Sequence, residues 1–176
     1  MHKAGLDRLH VGLETGDDAL LRFHQKGISA RRMVDACRAI KDAGIELSLY
    51  VLLGLGGRTR WREHARGTVA ALNAIRPQFI RLRRLWIHSR CSLHQAVRAG
   101  DFEPQTPEGT VVETREILAG LDPDMPVEVE CLHHNDYVKF HGRLPDDRAE
   151  ILGAIDAFLA LPEAEREAVY RVPSSI

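Results

Sequence analysis

The sequence predicts an α/β fold in which parallel strands form a sheet with helices over it, and two observations carry this. A helix ending at glycine and followed by an apolar strand occurs at Ala4 (AGLDRLHVGLETG) and recurs in outline at Ala43 (AGIELSLYVLLGLGG). A degenerate third copy spans residues 73–86, with Pro77 as the helix stop. Helices alternating with near-continuous apolar strands are the pattern of a parallel sheet with crossover helices. Gly5 and Gly44 fall where a helix needs a left-handed residue after its last turn, a conformation that costs little without a Cβ.

Taken in order, residues 9–16, 49–59 and 79–86 each read as a buried strand running into a loop. Between them the spacing of Leu20 and Leu21, then of Met33, Ala36, Cys37 and Ile40, predicts helices over 17–25 and 29–43, with Asp17 and Ser29 as N-caps, and a third helix over 60–75. Helices are expected over 92–99 and 108–120, and residues 127–131 alternate like a strand. Residues 146–161 form an amphipathic helix with Ile151, Ile155, Phe158 and Leu159 on one side, and the chain frays from Val172. The count is four parallel strands, against about eight for a closed barrel. An open edge of apolar strand invites pairing with another chain. Met1 to Lys3 stand directly before the helix-ending Gly5, so the chain is expected to start inside a helix–strand unit, as a fragment would.

A chain of 176 residues with 44% apolar content suits about one domain with a real core. The longest apolar run, Ile45 to Leu55, is interrupted by Glu46 and Ser48 and falls far short of the roughly 20 residues that cross a bilayer. No membrane span is expected. Three cysteines far apart and no apolar leader make the cytoplasm the expected location. Charge balances at 24 basic against 25 acidic residues, but unevenly: Arg58 to Arg98 holds ten arginines and one acid, Glu63, while Asp101 to Glu167 holds 17 acids against five bases. That asymmetry fits a nucleic-acid surface, which is not favoured over the simpler expectation of helix faces whose opposite charges pair in the fold.

Few motifs carry chemistry by themselves. The loop Gly54-Leu55-Gly56-Gly57-Arg58-Thr59 joins a strand to a helix, so its amides either face an anion or simply serve a turn needing positive φ. It is neither a phosphate-binding P-loop nor a GxGxxG fingerprint. Glu14 ends an apolar strand, where a carboxylate accepts from an amine or a ribose, or caps the next helix. Lys26, followed by Gly27, ends that helix and either binds a ligand carboxylate or complements the helix dipole. Cys131, His133, His134 and His141 have metal-ligand chemistry but lack the tight pairs of a zinc site, so no metal ligand is assigned. Cys91 has no orienting partner.

Taken together, four segments carry a resemblance. VGLETGDDALLRFHQKG, LLGLGGRT with Glu63-His64, IRPQFIRLRRLWIHSRCSLHQAVRAGDFE and HHNDYVKFHGRLPDD are similar, in order and at ordinary spacing, to segments of radical S-adenosylmethionine (radical SAM) proteins of the oxygen-independent coproporphyrinogen oxidase-like group. The resemblance implies strands 4–6 of a partial (β/α) barrel over residues 1–100, with a strand and helical extension packed on it over 101–176. It implies S-adenosylmethionine and a 4Fe-4S cluster as cofactors, and reductive cleavage to a 5′-deoxyadenosyl radical. Carried over by position, Glu14 would contact the amino-acid or ribose part of S-adenosylmethionine and Lys26 its carboxylate. Gly54, Gly56, Gly57 and Thr59 would sit by the adenosine, and Arg81 on the strand closing the adenine pocket. Thr15 stands where the family more often has Ser, and Asp136 where Asn is usual.

The family holds its cluster with CxxxCxxC, a spacing that Cys37, Cys91 and Cys131 cannot supply. The leading expectation is therefore the C-terminal part of a radical SAM enzyme, inactive alone and completed by a chain bearing CxxxCxxC. The alternative is a non-catalytic interaction or RNA-binding module using the open edge and Arg58–Arg98. The substrate stays unassigned, and self-association through the open edge is the expected behaviour of the isolated chain.

Overall fold

A computed structural model describes residues 5–171. The elements run β1 (Arg8–Glu14), α1 (Asp18–Phe23), α2 (Ala30–Asp42), β2 (Glu46–Leu53), α3 (Gly57–Ile75), β3 (Phe79–Arg84), α4 (Ser92–Ala99), α5 (Pro107–Gly120), β4 (Val127–Cys131), β5 (Phe140–Leu144), α6 (Arg148–Leu159) and α7 (Glu163–Tyr170). One sheet holds the five strands in the order β1-β2-β3-β4-β5, the first four parallel and β5 antiparallel to β4. Strand order follows chain order without a reversal. Crossovers of one hand then put their helices on the same face, which is the plan of an opened barrel rather than of a doubly wound sheet.

Side-chain alternation sorts the strands into two surfaces. Leu13, Leu47, Leu49, Val51, Leu53, Ile80, Leu82, Val127, Val129 and Leu144 join Cys37 of α2, Leu72 and Ile75 of α3, Ile117 and Leu118 of α5 and Ile151 and Ile155 of α6 in one core. The alternate positions include Ser48, Tyr50, Arg81, Arg83, Glu128, Glu130 and His141, a polar surface on the other side of the sheet. There Arg81 donates to Ser48 Oγ (3.1 Å) and to Glu130 Oε1 (2.5 Å), and Arg83 also bonds Glu130. Burial alone would raise the Glu130 pKa, but the two guanidiniums outweigh it and hold it below the ordinary value.

The caps follow the sequence closely. Asp17 Oδ1 accepts from the Ala19 and Leu20 amides, Ser29 Oγ from Arg32, and Gly44 has φ +78 just past the α2 cap. Arg76 takes the left-handed conformation (φ +51) that closes α3 ahead of Pro77. Gly5 also has positive φ, whereas the truncated helix expected to end there and the frayed end from Val172 lie outside the described residues.

Two expectations need correction. The third helix begins at Gly57 instead of Arg60: residues 57–59 form one turn before a kink at Arg60 (φ −124, ψ 16), where the regular helix starts. β5 and α7 lie in segments to which the sequence assigned neither strand nor helix. Of the two alternatives for Glu14, capping is not the one observed, because α1 is capped by Asp17 as expected.

Most of the arginine-rich stretch is paired within the fold, as the simpler expectation held. Arg58 meets Glu103 (2.6 Å), Arg60 meets Asp17 (2.8 Å), and Arg76 meets Asp122 (2.9 Å) and Asp124 (3.4 Å). No helix among the described residues is long and apolar enough to cross a membrane.

Candidate functional site

Parallel strands gather their loop-borne chemistry at their C-terminal ends, and here three such ends border one cavity. At the end of β1 the register shifts between Gly12 and Glu14, and Glu14 takes φ +61, a left-handed conformation that a side chain rarely adopts. α1 follows and closes with a Schellman turn: Gln25 at φ +53 donates to Arg22 O (3.0 Å) and the Lys26 amide to Leu21 O (2.8 Å). This turn aims Lys26 back at the strand end, where its Nζ donates to Glu14 Oε1 at 3.0 Å. Twelve residues of chain thus close on themselves to set an ammonium and a carboxylate side by side.

Gly12 makes room for that pair. A Cβ there would stand 2.2 Å from Glu14 Oε1 and 3.3 Å from Lys26 Nζ, so any side chain would evict the carboxylate. The sequence reading passed over Gly12, because a glycine inside a strand gives no sign of what approaches it.

The cavity, about 320 Å³, has Glu14, Thr15 and Lys26 at one side and Leu52, Leu55, Leu85 and Trp86 as apolar walls. Trp86 is half exposed. His24 also borders it, bonding Leu55 O through Nε2 (3.0 Å) and meeting the Phe23 and Phe102 rings edge-on. Burial, reinforced by His64 nearby, lowers the His24 pKa despite the opposing Leu55 carbonyl. A small set of charges over apolar walls is the usual make-up of a small-molecule site. A larger hollow of about 820 Å³ lies between Trp61, the start of α5 and α7, away from the strand ends, and its Arg166 is already paired with Glu108 (3.2 Å).

The other residues singled out by the sequence are placed differently. Gly54 (φ +82) donates its amide to Glu113, Gly57 to Gly54 O (3.0 Å), and Arg58 to Glu103 O (2.9 Å). These amides are spent inside the fold, so the glycines serve a turn and a close approach: a Cβ on Gly56 would sit 2.7 Å from Arg60 O, and one on Gly57 2.4 Å from Glu103 O. Thr59 is exposed in the turn before the α3 kink, and Arg81 sits mid-strand with Glu130; neither lines the cavity.

Cys37 and Cys131 are buried, and burial raises the Cys37 thiol pKa and puts that of Cys131 well above the ordinary value. Among the described residues no group of three or more Cys, His, Asp or Glu is placed to hold a metal ion. A 4Fe-4S cluster therefore does not fit these residues. The paired Glu14 and Lys26 bring one negative and one positive charge to the edge of the apolar walls.

Comparison with known proteins agrees with this architecture. The model of the radical SAM superfamily matches residues 1–66, the span from the first residue to Arg66 of α3. The solved structure of archaeal Methanocaldococcus infernus Elp3 with an N-terminus deletion (1-46) superposes with a TM-score of 0.57 at 20% identity, a likeness of fold. The match covers 72% of this chain and 30% of that one, so the chain spans less than a third of that protein's length. No curated protein matches the chain.

Proposed function

From the match of the radical SAM superfamily model to residues 1–66, we propose that this chain forms part of the S-adenosylmethionine pocket of a radical SAM enzyme. The observation that supports it is the Glu14–Lys26 pair, folded over Gly12 at the mouth of an apolar cavity. In this reading Glu14 accepts from the ligand's α-ammonium and Lys26 donates to its α-carboxylate, each charge exchanging its neighbour for the complementary group. Leu52, Leu55, Leu85 and Trp86 cover the adenosine and exclude water. The glycine turn from Gly54 shapes that wall through its conformation, not through free amides. Reductive cleavage of S-adenosylmethionine is the chemistry such an enzyme supplies with a 4Fe-4S cluster, whose ligands this reading assigns to a CxxxCxxC segment outside the described residues.

The test is titration calorimetry of the purified chain with S-adenosylmethionine. Glu14→Gln and Lys26→Met should each weaken binding about tenfold, the loss of about 1.4 kcal/mol expected for one charge-assisted contact. Binding unchanged in both variants would sink the assignment. Anaerobic reconstitution with iron and sulfide should give no 4Fe-4S absorbance with this chain alone, and a cluster on adding a CxxxCxxC polypeptide.

A further inference from the structure

Behind the cavity lies a second polar cluster that is entirely enclosed. His64 of α3 and Glu113 of α5 both have fully buried side chains, with Nε2 3.3 Å from Oε1. From this junction contacts run in two directions. Glu113 Oε1 accepts the Gly54 amide at 2.7 Å, at the end of β2. His64 Nδ1 meets Thr15 Oγ1 at 2.8 Å, at the end of β1, and the same hydroxyl oxygen accepts the Asp17 amide at 3.0 Å. One turn along α3, Thr68 Oγ1 accepts the Gly16 amide at 3.2 Å.

With the proton on Nε2, the side toward Glu113, the Thr15 hydroxyl donates to Nδ1 and keeps a lone pair for the Asp17 amide. A buried imidazole–carboxylate pair is poor value as a stabiliser, since apolar side chains of the same shape commonly do as well or better. Glu113 Oε2 has no hydrogen bond, and neither does Nε2 at its 3.3 Å separation. A residue like Glu14, held at φ +61, persists only where its surroundings over-determine it. Its neighbour Thr15, 0% exposed, is what the cluster grips.

We infer that His64 and Glu113 are positioning residues that lock the β1 and β2 loops into one unit, fixing Glu14 and the Gly54 turn relative to each other on two sides of the cavity. The inference deepens the S-adenosylmethionine reading and rests on it for the meaning of the cavity, but the coupling of the loops is measurable without ligand.

The experiment uses the full chain in four forms: Glu113→Gln, Thr15→Val, Thr15→Ser and the Glu113→Gln/Thr15→Val double variant. Amide hydrogen exchange should show the Asp17 amide about tenfold faster in Glu113→Gln, and the Gly54 amide about tenfold faster in Thr15→Val, each effect crossing to the other loop. Thr15→Ser keeps the hydroxyl and should leave both amides as in the parent, which separates the bond from general loosening. For S-adenosylmethionine affinity, Glu113→Gln and Thr15→Val should each cost about tenfold and the double variant little more, because one chain is cut twice. Exchange effects confined to the mutated loop, or single losses multiplying to about a hundredfold, would overturn the coupling. A parent chain that fails to bind S-adenosylmethionine would overturn the earlier reading, and the exchange data would still decide this one.

Discussion

Gly12, Glu14 and Lys26 stand or fall together at the scale of single residues. Gly12→Ala pushes a methyl group onto the Glu14 carboxylate. It should reduce S-adenosylmethionine affinity about as much as Glu14→Gln does, while moving the urea midpoint little, because the side chain it displaces is at the surface of the site. Calorimetry beside denaturation checks both halves. His24 gives a pH signature. Its folded pKa is lowered, so below about 6.5 the unfolded chain takes up a proton that the folded chain refuses. Its contribution to stability is complete above that pH and is lost as pH falls toward the lowered folded value. His24→Gln keeps a donor for Leu55 O and should flatten the fall in urea midpoint between pH 7.5 and 5.5 relative to the parent. Of these residues the sequence exposed Glu14 and Lys26, because a strand-end acid and a helix-end base are both visible locally. Glu113 it hid, and of Gly12 and His64 it showed only their place in the resembling segments, because their roles depend on a carboxylate folding back or on two helices meeting 49 residues apart.

Backbone contact controls the element scale. Gly16 in the β1 loop and Gly67 in α3 touch main chain to main chain: a Cβ on Gly16 would lie 2.0 Å from Gly67 O, and one on Gly67 2.8 Å from Gly16 O. Gly16→Ala should destabilise the fold by about 2–3 kcal/mol, the usual cost of overpacking against atoms that cannot yield. Gly153, exposed inside α6 with nothing near its missing Cβ, is the opposite case, and Gly153→Ala should stabilise by about 0.5–1 kcal/mol. Urea denaturation of the two variants tests the pair. Element boundaries were legible where side chains cap, as at Asp17 and Ser29, and where an apolar stripe repeats. β5 was not: its residues His141 and Arg143 are exposed, and Gly142 is buried because Asp147 and Ile151 close on it, a contact invisible in the string FHGRL. The kink at Arg60 explains why the periodic pattern began there although the helix begins at Gly57.

The whole molecule is an arc of strands with its chemistry at one rim and its core on one face. Ligand binding at that rim should stabilise all of it: at a free S-adenosylmethionine concentration about one hundred times Kd the gain is about 2.7 kcal/mol. For a chain of this size that raises Tm by about 5–10 °C, read by differential scanning calorimetry and absent in Glu14→Gln at the same concentration. The architecture was legible because three glycine-punctuated strand segments repeat, and the radical SAM model match over residues 1–66 takes in the first two of them. FIRLRRLW and HHNDYVKFHGRLP lie beyond that match, and in the structure they build β3 and the β4–β5 connection with β5 itself.

The alternation of strand residues between the two faces has a consequence for how such a chain changes over generations. Leu47, Leu49, Val51, Ile80 and Leu82 answer only to the helices, while Ser48, Tyr50, Arg81 and Arg83 answer to whatever lies across the other surface. A substitution in the second set leaves the first undisturbed, so the two sets can drift at separate rates within a single strand. A scaffold written in one alternate set of positions can be inherited intact while the other set is rewritten.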